Sequence, residues 1–274
     1  MALRYGDTPL RITATTIENW ADTRDAQSLL PLLVRRLIQA TSKTSALLMP
    51  SGDSINAPGW DGITDACESN PWVPAGPARW EIGCNSDPQR KAEEDLAKRV
   101  FKTDVDQMTG TVFVFVTPRR WQLRDGWCRL AEEATPWRAV RVIDADDLEA
   151  WLERAPAVML WFARLLGLSG FGIESTESFW QRWREQSRCR LTPETILADR
   201  SVDAQRFDDL ISARAPLILL KADSQEEAVA FACVRLAALE LINDAACISR
   251  SEGWGFVDSN AALRVVIACS SEIA

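Results

Sequence analysis

The sequence contains no histidine among its 274 residues, and only one tyrosine. The absence of histidine excludes Ser-His-Asp and Cys-His catalysis, HExxH metalloproteases, HNH nucleases and zinc sites with histidine ligands. It also excludes pH sensing through an imidazole. A catalytic site in this chain therefore has to work without histidine.

Paired cysteines and long apolar segments are missing as well. The seven cysteines are scattered without a CxxC pair, which argues against a disulfide framework and for a reducing cytoplasm. The opening MALRYGDTPL lacks the apolar core of a secretory signal. The most apolar stretch, residues 157–168, contains Arg164 and is too short to cross a bilayer. We therefore expect a cytoplasmic protein that does not bind membranes.

Acidic residues outnumber basic ones, and the formal net charge is −8. Such a chain does not hold nucleic acid by its overall charge. A role on nucleic acid would need a local basic patch, or a divalent metal held by carboxylates. The composition, 47% hydrophobic and 26% charged, is that of a globular protein with a packed core.

Hydrophobic patterning predicts alternating helices and strands in the first part of the chain. The predicted helices are 29–40, 89–101 opened by Asp87-Pro88, 124–134, a helix capped by Asp144 or Asp146, and 156–168; the predicted strands are 45–49, 78–84, 111–117 and 139–144. This order is typical of an α/β core. Glycine and serine cluster at 167–172, so we predict a domain over 1–168 and a connector over 169–190.

The region 191–274 reads as the start of a second, partial α/β domain. A helix is predicted at 177–186 in the connector, and it is followed by a strand at 216–222, a helix at 225–242 and a strand at 263–269. The connection ADSQEEA has neither the glycines nor the lysine of a P-loop, so we expect no nucleotide there. Its acidic residues suit a helix N-cap and first turn. Two strands and one helix cannot cover both faces of a sheet, and we therefore expect a regulatory domain beyond residue 274.

The chemical signal lies in two carboxylates and a lysine. Asp61 stands in PGWDG, and Glu81 stands between Trp80 and Ile82 in a predicted strand. Burying an unpaired carboxylate is costly, and metal coordination is a common solution. Lys91 follows on the next helix, and Asp53 is a further acidic candidate. Two carboxylates that hold Mg²⁺, with a lysine near the phosphate, suffice for phosphodiester hydrolysis.

Each of these residues also has a structural interpretation. Asp61 beside a glycine is a common turn former. Glu81 could face solvent or pair with Arg79 or with a lysine of the helix. Lys91 could be a solvated helix residue, since its helix carries many charges at i, i+4 spacing.

A second candidate surface mixes arginine with tryptophan. Arg119, Arg120 and Arg124 surround Trp121 just after a predicted buried strand, and WQRWR at 180–184 repeats the mixture. Arginine can meet phosphates while an aromatic ring stacks on a base. The alternative is a guanidinium stacked on an aromatic edge of the core.

These pieces together resemble the PD-(D/E)xK restriction-endonuclease-like family, in particular the Mrr-like modules of bacterial antiphage-defence proteins with large NTPase parts. The resemblance covers residues 29–168 and is carried by LPLLVRRLI, PGWDG, VPAGPARWEIG, KAEEDLAKR, VFVFVTPRRW and VIDADDLEAWLE. It implies a mixed central sheet flanked by helices. It also implies a Mg²⁺- or Mn²⁺-dependent endonuclease that cuts DNA. Nucleases of this kind often act as dimers or higher oligomers.

The resemblance also implies roles for individual residues. Asp61 and Glu81 would hold the metal, and Lys91 would be the catalytic lysine. The family places its lysine two residues after the glutamate, where this chain has Gly83. Members often move this lysine to the following helix, and Lys91 is the candidate for that relocation.

Two alternatives remain open. In the first, the chain keeps the nuclease fold without catalysis and binds nucleic acid or protein; Lys91 would then be turned away and no metal would bind. In the second, it is an unrelated α/β association domain with tryptophans as interface anchors, and Asp61 and Glu81 would lie far apart.

Overall fold

The computed structural model describes residues 10–50, 59–168, 172–187, 189, 191–270 and 272–273. Its contacts divide the chain into two compact units, Ile12–Arg154 and a second unit that contains Ala155–Ala274. Asp53 lies outside the described residues. Within the described chain, no helix has the length and apolar character needed to cross a membrane.

The unit Ile12–Arg154 alternates helices with strands. In chain order its elements are α1 (Ala14–Ala21), α2 (Arg24–Thr41), β1 (Thr44–Leu48), β2 (Gly62–Ala66), β3 (Gly76–Ile82), α3 (Pro88–Lys102), α4 (Val105–Thr109), β4 (Val112–Val116), α5 (Arg124–Ala134), β5 (Ala139–Ile143) and α6 (Ala145–Glu153). The eight helices and strands predicted from the sequence up to Glu153 are present, with shifted ends at several of them. Short α1, α4 and β2 were not predicted as separate elements.

The strands form one mixed sheet with the order β1-β2-β3-β4-β5. The first three strands are antiparallel, whereas β3, β4 and β5 run parallel. This confirms the predicted α/β class and the mixed sheet flanked by helices. Strand β4, VFVFV, is buried at all five positions, as expected for a parallel strand covered on both faces.

Strand β3 alternates its side chains between two buried faces. Trp80 is fully buried, and its indole N–H donates to Thr64 Oγ1 at 2.9 Å. Glu81 points to the other face and is paired in register with Phe115 of β4. Ala92 and Leu96 of α3 pack against Phe113 and Phe115 on that face. Helix α3 therefore covers the side of the sheet that carries Glu81.

Local signals fix where α3 and α6 begin. The carboxylate of Asp87 accepts from the backbone N–H of Arg90 at 3.0 Å, and Pro88 occupies the first turn, where its missing N–H costs nothing. Asp144 caps α6 in a reciprocal capping box with Asp147. Both caps follow the ends of parallel strands, so each strand is joined to the next helix by a short connection.

The second unit contains α7 (Pro156–Leu165), β6 (Ile173–Ser175), α8 (Thr176–Gln186), α9 (Pro193–Leu197), α10 (Ser201–Ser212), α11 (Gln225–Ala238), β7 (Ala245–Ile248), α12 (Trp254–Asp258) and β8 (Val265–Ala268). Its three-stranded sheet has the order β6-β7-β8, with β7 parallel to β8. Helix α7 is apolar on all sides and contacts β6. For that reason residues 155–168 group with this unit, whereas the sequence placed the boundary at 168.

The predicted strand at 216–222 is wrong. These residues form no strand, and Leu217 and Leu219 are 70% and 85% exposed. The strand that pairs with β8 is instead β7, whose four residues carry no clear alternation. The predicted helix after residue 222 is present with Glu226 and Glu227 in its first turn, but its N-cap is a serine rather than an acidic residue: Ser224 Oγ accepts from the backbone N–H of Glu227 at 3.1 Å.

Candidate functional site

Asp61 and Glu81 are neighbours across two antiparallel strands. Gly62 of β2 pairs with Trp80 of β3, so the register continued by one residue places Asp61 beside Glu81. The backbone N–H of Ile82 donates to Asp61 Oδ2 at 2.8 Å. The two carboxylates predicted as metal ligands therefore lie side by side, which contradicts the alternative that they lie far apart.

Both carboxylates line a cleft of about 690 Å³. Four stretches of chain contribute its described lining: the end of α1 with the start of α2, the residues around Asp61, the end of β3 from Glu81, and the helix α3. The described lining residues are Ala21, Thr23, Arg24, Gln27, Gly59, Asp61, Glu81, Ile82, Gly83, Cys84, Asn85, Lys91, Asp95, Lys98 and Arg99. The predicted triad of Asp61, Glu81 and Lys91 thus converges in one place.

Lys91 reaches the cleft by crossing Gly83. A Cβ atom on Gly83 would lie 2.9 Å from Lys91 Cγ and 3.3 Å from Phe115 Cζ. The lysine side chain therefore occupies the space that a side chain at position 83 would need. Its Nζ donates to Asp95 Oδ1 at 2.8 Å. Burial lowers the pKa of Lys91, but Asp95, Glu81 and Asp61 together raise it above its usual value, so the ammonium group stays protonated.

Arg99 is the direct partner of Glu81. Its Nε donates to Glu81 Oε1, and its Nη2 donates to the carbonyl of Gly59. The guanidinium also lies 4.2 Å from the ring centre of Trp60, a cation–π contact. The side chains of Arg99 and Glu81 are 8% and 4% exposed. The buried negative charge on the sheet is therefore matched by a buried positive charge from α3.

Burial shifts the ionisation of both carboxylates. Desolvation raises the pKa of Glu81 to about 7, against the opposing effect of its hydrogen bond with Arg99. Desolvation also raises the pKa of Asp61, while the hydrogen bond from Ile82 lowers it. The negative charge of Asp95 raises the pKa of Asp61, and the charges of Asp61 and Asp95 raise the pKa of Glu81. This is expected for acids that share one site.

Asp95 completes the charged cluster and was not predicted. It is 3% exposed, and its Oδ2 is buried without a hydrogen-bond partner among the described residues. Lys91, Asp95 and Arg99 follow one another at four-residue spacing on α3. That spacing puts three charges on the helix face that packs against the sheet. The four-residue periodicity after Lys91 was therefore a signal in the sequence that could have identified Asp95 and Arg99.

Cys84 also lines the cleft. Burial raises the pKa of its thiol to about 11, and the nearby Arg119 only partly opposes the shift. The thiol stays protonated at neutral pH. It is therefore a poor nucleophile and a poor metal ligand.

The three arginines predicted to bind nucleic acid lie outside the described cleft lining and are held by ion pairs. Arg119 pairs with Asp22 at 2.7 Å, and Arg120 pairs with Glu18 at 2.6 Å and with Asp146 at 3.0 Å. Arg124 pairs with Asp144 at 2.8 Å and with Asp147. Their contacts fasten α1 to the loop after β4 and to the start of α6. Nucleic-acid binding by these residues stays a prediction.

In the described part of the chain, no three acidic or cysteine side chains form a group that could hold a metal ion. The charged cluster in the cleft instead combines two carboxylates at the sheet with Lys91, Asp95 and Arg99 on one helix. No family model, curated protein or solved structure matches this chain.

Proposed function

We propose that the cleft is the active site of a metal-dependent endonuclease that hydrolyses DNA phosphodiester bonds. The observation that supports this most strongly is the convergence of Asp61, Glu81 and Lys91 from three separate segments. The resemblance to the PD-(D/E)xK family adds a cellular setting, as effector of a bacterial antiphage-defence protein.

The donor set at the cleft suits Mg²⁺ or Mn²⁺. Asp61 and Glu81 offer carboxylate oxygens, the ligands that these hard cations prefer. Burial raises the pKa of both groups, so a bound cation would offset the cost of keeping them ionised. Since Mg²⁺ usually keeps several waters and binds through one or two carboxylates, the two residues need no third protein ligand. The metal would activate water and neutralise charge that develops on the phosphate.

Lys91 would supply a fixed positive charge beside the reacting phosphate. Its hydrogen bond to Asp95 holds the ammonium group in one position, and its protonated state makes it an electrostatic stabiliser rather than a base. The space over Gly83 gives the side chain its route into the cleft. Lys91 would thus act where the family's lysine acts, from a different point in the chain.

The ion pair between Arg99 and Glu81 favours a second candidate function. Arg99 already neutralises Glu81, as expected of a nuclease fold that has exchanged its metal for an internal cation. In that case the chain would bind nucleic acid or protein without cutting. Calorimetric titration with Mn²⁺ separates the candidates: the nuclease binds the ion and loses binding in Asp61→Asn, whereas the inactive fold binds none.

The experiment for the enzyme is cleavage of plasmid and linear DNA with Mg²⁺ or Mn²⁺. We expect metal-dependent cutting that Asp61→Asn, Glu81→Gln and Lys91→Ala each abolish. Glu94→Gln is the matched control, because Glu94 is an exposed α3 residue that pairs with Arg90 and does not line the cleft. Cutting by the Glu81→Gln variant would disprove the proposed active site. Cutting by the Lys91→Ala variant alone would disprove only the catalytic role of Lys91.

A further inference from the structure

The distribution of charge around the cleft differs from that of the whole chain. The net charge of the protein is −8, but the described cleft lining carries four basic side chains (Arg24, Lys91, Lys98 and Arg99) and three acidic ones. A polyanion is repelled by most of such a surface. It can approach where the local charge is not negative.

Two of these four basic groups are already neutralised inside the cleft. Lys91 is paired with Asp95, and Arg99 is paired with Glu81. The remaining two, Arg24 and Lys98, are exposed. Neither of them forms an ion pair or hydrogen bond with any other described residue. Their charges are therefore available to a ligand at the cleft.

The two residues come from different elements and border the same opening. Arg24 is the first residue of α2, and Lys98 lies on α3 one residue before Arg99 and seven residues after Lys91. Seven residues are close to two helical turns, so Lys98 lies about 10 Å along the axis from Lys91. Lys98 therefore lies on the same helix as Lys91 but farther from the two carboxylates, where a neighbouring phosphate of the same strand would pass.

The arginines after β4 contrast with this pair. Arg119, Arg120 and Arg124 are engaged by carboxylates of α1 and of the first turn of α6. Binding to a phosphate there would require an ion pair to be given up. The geometry therefore places phosphate contacts at the cleft rather than at those arginines.

We propose that Arg24 and Lys98 bind the DNA backbone phosphates that neighbour the phosphodiester group in the cleft. This inference rests on the proposed nuclease function for its substrate, but it concerns binding and is tested without metal. Arg24 and Lys98 position the duplex and carry no sequence information, since contacts to phosphates are independent of base identity.

The test is fluorescence anisotropy of a labelled duplex DNA in EDTA, measured over a series of salt concentrations. We expect Arg24→Ala and Lys98→Ala each to weaken binding severalfold near 0.1 M salt. Each should also lower the slope of log K against log salt by about 0.9, the value for one lost phosphate contact. The matched controls are Lys102→Ala on α3 and Arg129→Ala on α5, which remove exposed charges outside the described cleft lining and should leave the slope unchanged.

The proposal is overturned if the cleft variants retain the wild-type slope, if the controls lose as much as they do, or if the wild type shows no binding at low salt. Cleavage by the same proteins is scored separately. Metal-dependent cutting with unchanged DNA binding in the variants would support the nuclease function and disprove the phosphate-binding role of Arg24 and Lys98. DNA binding that depends on Arg24 and Lys98, without any cutting, would support their phosphate-binding role and disprove the nuclease function.

Discussion

Lys91 lies across Gly83, with its Cγ only 2.9 Å from where a Cβ on the glycine would be. The resemblance to the PD-(D/E)xK family places a lysine at position 83, and the structure shows that the side chain of Lys91 fills that space from the next helix. The lack of a side chain at Gly83 is what admits the lysine of α3.

If the cleft is the proposed nuclease site, Gly83→Ala should impair DNA cleavage while the fold persists. The new methyl group would press on Lys91 and on Phe115, and overpacking of this kind costs about 1–3 kcal/mol. A displaced catalytic group loses rate steeply, so we expect roughly tenfold or greater loss of cleavage. Gly126→Ala in α5 is the control, because nothing lies within 4 Å of its added Cβ. Equal activity in both variants would contradict the steric role of Gly83.

Moving the lysine should restore part of the activity that its loss removes. Lys91→Ala empties the space above residue 83, so Gly83→Lys in that background can project a lysine into the same cleft from the residue that follows β3. We expect the single Lys91→Ala protein to be inactive and the double variant to cut DNA measurably. A double variant as inactive as the single one, with unchanged thermal stability, would argue against equivalence of the two positions.

The ionisation of Glu81 should make stability depend on pH. The pKa of Glu81 is about 7 in the folded protein and 4.5 ordinarily, so between these values the folded state holds a proton that the unfolded chain has lost. The stabilisation from this proton is complete below pH 4.5, falls as the pH rises to about 7, and is absent above that. The slope is at most about 1.4 kcal/mol per pH unit.

Urea unfolding in EDTA, followed by tryptophan fluorescence, measures this effect. The difference in unfolding free energy between wild type and Glu81→Gln should shift in favour of the glutamine protein from pH 4.5 to 7. It should then become constant. Parallel curves for the two proteins over this interval would show that the pKa of Glu81 is not raised.

Arg99 and Glu81 should be strongly coupled in a double-mutant cycle. Arg99→Met leaves Glu81 buried without its partner, which costs about 3–5 kcal/mol. The double variant Arg99→Met with Glu81→Gln should lose much less free energy of unfolding than the sum of the losses in the two single variants. The control is the exposed i, i+4 pair of Arg90 and Glu94, for which we expect about 0.3–0.5 kcal/mol. Additive effects at Arg99 and Glu81 would contradict the buried pair.

Local patterns predicted most of the unit that carries the cleft. Buried strands such as VFVFV and a capped helix after Asp87 are set by neighbours in sequence, and they appear where expected. The closeness of Asp61 and Glu81 followed from the motif order of the resemblance. The pairing of Glu81 was only partly foreseen, since a salt bridge was considered but its partner is Arg99, eighteen residues away.

The second unit was harder to predict because its strands depend on distant partners. Residues 216–222 have strong β propensity, but no described strand pairs with them. Strand β7 has a weak pattern and still forms, because β6 and β8 lie on either side of it. Propensity describes how well a residue suits a strand, whereas pairing decides whether a strand exists.

The buried pair of Glu81 and Arg99 also constrains how this sequence can change over generations. A substitution at one of the two positions leaves the other charge buried without a partner. A protein with only one of the two changes is therefore much less stable. We therefore expect the two positions to change together among relatives. A chain that has replaced the glutamate by an apolar residue should also have replaced the arginine, and the two positions should covary as one inherited trait.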